Sequence, residues 1–106
     1  MSGEIIVLVT APAGEEASSI AEALVNERLA ACVNLVPGVE SVYRWEGKVN
    51  RDRETLLIIK STGDRYAELE QRVKELHSYS TPEIISISID RGDGAYLGWL
   101  RDSIQR

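Results

Sequence analysis

The feature that most restricts this chain is a tight-turn dipeptide, Glu46-Gly47, set between two long extended runs. Upstream, Ala31 to Trp45 is rich in Val, Leu, Tyr and Trp. Downstream, extension resumes at Lys48 and continues through Thr55, Leu56, Leu57, Ile58, Ile59 and Lys60. Two such runs joined by a two-residue turn read as an antiparallel hairpin. At about 3.3 Å per residue the first run would span roughly 50 Å, against about 17–20 Å for a common strand. The tip of so long a hairpin is expected to overhang the domain. Pro37-Gly38 interrupts the first run and predicts a β-bulge there. With this turn and one bulged residue, Cys32 falls opposite Lys60, on the face that also carries Asn34.

The remaining segments fit around that hairpin. Glu4 to Ala11 (EIIVLVTA) is a short β-branched run closed by Pro12 and Gly14, a first strand apolar on both faces. Ala17, Ile20, Ala21, Leu24 and Val25 recur on one helical face, with Glu15 and Glu16 in the first turn, and predict a helix to about Leu29. Gly63-Asp64 supplies a break and an N-cap for a second helix carrying Tyr66, Leu69, Val73 and Leu76 and ending near His77. After Ser80-Thr81-Pro82, the run Glu83 to Ile89 alternates Ile85, Ile87 and Ile89 with Ser86 and Ser88, a fourth strand. Tyr96, Leu97, Leu100 and Ile104 then predict a short closing helix. The order is that of an α+β, ferredoxin-like βαββαβ sandwich with an added C-terminal helix, a single domain over residues 1–106.

In such a sandwich the helices cover one face of the sheet, yet Ile5 to Val9 and Leu56 to Ile59 put apolar side chains on both. An exposed apolar face forgoes roughly 1.5–3 kcal/mol for each Val or Ile left in water, so a homo-oligomer is expected. Tyr43, Arg44 and Trp45 at the hairpin tip are residue types enriched at interface hot spots. At 106 residues there is room for one core but not for a deep two-domain cleft. A formal net charge of −5, from 17 acidic and 12 basic side chains, opposes nucleic-acid binding. An RNA-binding domain of this topology also needs stacking aromatics on its central strands, and Leu56–Lys60 has none. The single cysteine, Cys32, has no intrachain disulfide partner, and Met1-Ser2-Gly3-Glu4 does not open like a signal peptide. No apolar run approaches the eighteen or so residues that span a bilayer. A cytoplasmic protein with no membrane segment is the expectation.

Signatures of catalysis are missing. Neither GxxxxGK[ST] nor GxGxxG occurs, and HExxH, CxxC and paired histidines are absent. The soft ligands are Cys32, His77 and Met1, a set that favours copper. Each competes with a plainer role: His77 as a helix-end residue, Cys32 as a small buried strand residue. Lysine beside a thiol would lower its pKa, which is the interest of the Cys32–Lys60 pairing. Glu83, after Pro82, is the carboxylate best pinned in place. Asp90 and Asp93 in the loop DRGDG offer hard oxygen ligands, though not at EF-hand spacing, and a solvated loop is the default.

Several of these segments occur together, in order, in one known family. Thr10-Ala11-Pro12, Ala30 to Val39 (AACVNLVPGV), Tyr43 to Lys48 (YRWEGK), Leu57-Ile58-Ile59-Lys60, Lys74-Glu75-Leu76-His77, Tyr79, Pro82-Glu83-Ile84 and Tyr96-Leu97-Gly98-Trp99 closely resemble the CutA divalent-cation tolerance proteins. The resemblance covers nearly the whole chain. It implies a PII-like homotrimer of ferredoxin-like subunits, with hairpins wrapping onto neighbours. It implies a cytoplasmic role in tolerance of divalent metal ions, notably copper, without enzymatic activity and with no required cofactor. Carried over by position, the metal ligands would be His77 and Cys32, and the cleft between subunits would be lined by Lys60, Glu83, Tyr43, Trp45 and Tyr79. Members with a proposed copper site carry a cysteine before Thr-Ala-Pro and two adjacent histidines, where this chain has Val9, Leu76-His77 and Ser78-Tyr79. Weak binding of copper or another divalent cation is therefore expected. Two other classes compete: a PII-like regulatory protein binding a small anionic metabolite in the cleft through Lys60 and Arg44, and an acylphosphatase-like hydrolase. The second lacks its arginine-bearing phosphate loop, replaced here by Thr10-Ala11-Pro12-Ala13-Gly14.

Overall fold

The computed structural model describes residues 3–105; Met1 and its thioether lie outside them. Four strands and three helices follow in the order β1 (Glu4–Pro12), α1 (Glu16–Asn26), β2 (Cys32–Trp45), β3 (Lys48–Thr62), α2 (Tyr66–Leu76), β4 (Ile84–Ser88) and α3 (Gly94–Ser103). The strands form one antiparallel sheet in the order β2-β3-β1-β4. This is the ferredoxin-like sandwich with its added helix.

Alternation along β1 separates the two faces. Ile5, Val7, Val9 and Ala11 are buried against Ile20 and Leu24 of α1 and Leu69 and Val73 of α2, with Leu57 and Ile59 of β3 completing that core. The other parity places Ile6 beside Ile87 and Lys60, and Leu8 beside Ile85 and Ile58, in rows across the sheet. Ile85 and Ile87 are about half exposed (50% and 52%), so this open face is the uncovered apolar surface that the sequence predicts. Arg72 of α2 clasps Glu27 just beyond α1, with Nε 2.9 Å from Oε1, and holds the two helices together.

The hairpin register matches expectation. Cys32 pairs with Lys60, and the register shifts between Val36 and Val39, three steps on β2 against two, Leu56 to Glu54, on β3. The turn takes Glu46 and Gly47 at φ +49° and +77°, the geometry that suits the right-handed twist of a two-residue hairpin. β1 reaches β3 only as far as Glu54, opposite Pro12. From Arg53 to Lys48, β3 has β2 as its sole strand partner, so the tip does project.

Three expectations at helix ends need correction. α1 stops at Asn26 rather than Leu29, because Arg28 turns to φ +60° and the amides of Leu29 and Ala30 fold back on the Leu24 carbonyl (2.9 and 3.1 Å). Leu29 and Ala30 stay buried, which is why the apolar pattern runs on past the helix. Val25 is outward-facing and 42% exposed. Asp64 is not the N-cap of α2: Gly63–Arg65 makes a 3₁₀ turn, and the Asp64 carboxylate accepts the Thr62 hydroxyl instead.

Candidate functional site

The long hairpin leaves a groove between its root and the loop that follows α2. That loop is held by the buried His77, the C-cap of α2. Its Nε2 donates to the Thr10 carbonyl at 2.7 Å, while Nδ1 accepts the Tyr79 amide at 3.1 Å. A carbonyl can only accept, so the hydrogen sits on Nε2 and the Nδ1 lone pair is already engaged. Glu16 of α1 closes the arrangement by taking both the amide and the hydroxyl of Ser78, at 2.9 and 3.0 Å. Docked in this way, the chain carries Tyr79 to Glu54 on β3.

Glu54 is the one acidic residue buried among the described residues, 6% exposed, and it accepts the Tyr79 hydroxyl at 2.8 Å. Burial, reinforced by that hydrogen bond, pushes the Tyr79 phenol above its ordinary range. Further out, Tyr43 donates to Asp52, and the bond to this carboxylate, with burial second, raises its pKa also. The resulting groove has a volume of about 580 Å³. Tyr43, Trp45, Tyr79 and Glu83, four of the residues assigned to a cleft between subunits, all line this groove within one chain.

The fifth cleft residue is elsewhere. Lys60 bonds to Asn34 and pairs with Cys32 at the far end of the strand, giving the expected trio on one face of the sheet. Nor are the two metal candidates together. Cys32 is level with Ile6 through Lys60, whereas His77 is tied to Thr10, four residues along β1, or roughly 13 Å at the rise of a strand. No group of three or more His, Cys, Asp and Glu side chains able to hold a metal occurs among the described residues. One chain by itself therefore does not fit a copper ion. Asp93 proves to be the N-cap of α3, accepting the Tyr96 amide at 3.0 Å. Among the described residues Asp90 pairs with its exposed neighbour Arg91.

Sequence reasoning passed over Glu54, Asp52 and Glu16. Within NRDRE, Asp52 and Glu54 look like part of a solvated charged run. Period-two alternation is the signal that could have found them, since it sends Asp52 and Glu54 to one face and Arg51 and Arg53 to the other.

Fold and groove together define a ferredoxin-like domain with a projecting hairpin and an aromatic, carboxylate-floored groove at its root. Comparison with known proteins gives the family. A model described as CutA1 divalent ion tolerance protein matches residues 5–103. The divalent-cation tolerance protein CutA of Thermus thermophilus is 52% identical over 100 residues, covering 94% of this chain and 97% of that protein, and its solved structure superposes with a TM-score of 0.92. The chloroplastic CutA of Arabidopsis thaliana is 48% identical over 93% of this chain, which spans 54% of that longer relative. The structure described as the periplasmic divalent cation tolerance protein CutA of Archaeoglobus fulgidus has a TM-score of 0.93 at 39% identity, covering 96% of this chain and 99% of its own. The chain belongs to the CutA1 family.

Proposed function

We propose that this protein serves tolerance of divalent metal ions as a homotrimeric binding or signalling module rather than an enzyme. The observation that carries the reading is the family match across the whole folded unit, residues 5–103, together with relatives named for divalent-cation tolerance. The described residues offer no metal cluster within one chain, so metal contact through Cys32 and His77 calls for ligands from two subunits. His77 would first have to release the Tyr79 amide, which favours weak binding. The open sheet face supports self-association, because Ile6, Leu8, Ile58, Ile85 and Ile87 form one apolar surface. The unpaired Cys32 suits a reducing compartment such as the cytoplasm. Among the described residues no helix is long and apolar enough to cross a membrane.

The test is growth of a strain deleted for its own copy of this gene on graded copper, zinc and cadmium salts. Loss of tolerance, restored by this chain and not by His77→Ala or Cys32→Ser, supports the role and both ligands. Restoration by the two variants as well supports the role and removes the ligands. Undiminished growth of the deletion strain overturns the reading. Light scattering at micromolar concentration should give three times the chain mass, and a monomer would refute the trimer.

A further inference from the structure

We draw no further inference here: the strongest candidate, the groove on the solvent side of α1 between Glu15 and Glu27, is a cluster of acidic and small polar side chains, and nothing in the structure shows what would occupy it.

Discussion

β3 is one continuous strand with two environments. Its inner half, from Leu57 to Thr62, lies between β2 and β1 and alternates fully buried Leu57, Ile59 and Ser61 with partly covered Ile58 and Lys60. Its outer half, from Lys48 to Arg53, pairs with β2 alone and presents mainly polar and charged side chains to solvent. The inner half owes its register to the core: a slip of one residue would turn Leu57 and Ile59 out of the helix-covered interior. The outer half has no such constraint and is kept in step by the Glu46-Gly47 turn, the bulge and cross-strand pairs. Stability is therefore concentrated at the root, whereas the groove opens where root meets tip, at Glu54.

The largest test of this contrast is Leu57→Ala, which removes a fully buried side chain and should cost about 2–5 kcal/mol in denaturant unfolding. Trp45→Ala should weaken assembly by about 2 kcal/mol or more, read as a concentration-dependent melting temperature, if a neighbour covers this face of the tip. An unchanged midpoint would mean that the ring stays in water. Gly47→Ala forces a Cβ into φ +77° and should destabilise by about 1 kcal/mol. At the root, Arg101 sits 2.7 Å from Glu4, and this hydrogen bond lowers the Glu4 pKa below 4.5. The folded state thus binds that proton more weakly than the unfolded chain. The contribution is complete above pH 4.5 and disappears as pH falls through the folded value. Denaturation of wild type and Arg101→Ala between pH 6 and pH 3 should show a shallower acid loss in the variant. Least affected should be Val49→Ala, at 64% exposure and on the opposite face of the tip from Trp45, with a change within about 0.5 kcal/mol. A larger loss would place a second chain over that face too.

Much of the hairpin was legible because its determinants are local. Glu46-Gly47 fixes the turn, Pro37-Gly38 the bulge, and counting between them puts Cys32 opposite Lys60. The groove was legible only by halves. Tyr43, Trp45, Tyr79 and Glu83 could be assigned by resemblance, but the residue that joins them, Glu54, is buried by a loop arriving from residues 77–83, a long-range event with no local signature. His77 shows the same limit. Its position at a helix end is readable, whereas its two occupied nitrogens depend on Thr10, 67 positions away, and on Tyr79. Lys60 fell outside the groove because the strand carries it toward Ile6, away from Thr10.

The bulge between Val36 and Val39 resets the phase of β2. Before it, the partners on β3 are Lys60, Ile58 and Leu56, facing even-numbered Cys32, Asn34 and Val36; after it, Glu54, Asp52 and Asn50 face odd-numbered Val39, Ser41 and Tyr43. The extra residue lets one strand serve two masters, with the inner portion phased to the sheet and the outer portion phased to the groove. Gly38, at φ +76°, accommodates this at little steric cost. Deleting a single residue there would make Val36 and Val39 two steps apart, as Leu56 and Glu54 already are, so the pairs on either side, Cys32 with Lys60 and Tyr43 with Asn50, would keep their partners and faces while the bend and extra twist of the bulge would be lost. Length variation at this one step is thus a way for a chain of this fold to re-aim its projecting tip without rebuilding its interior.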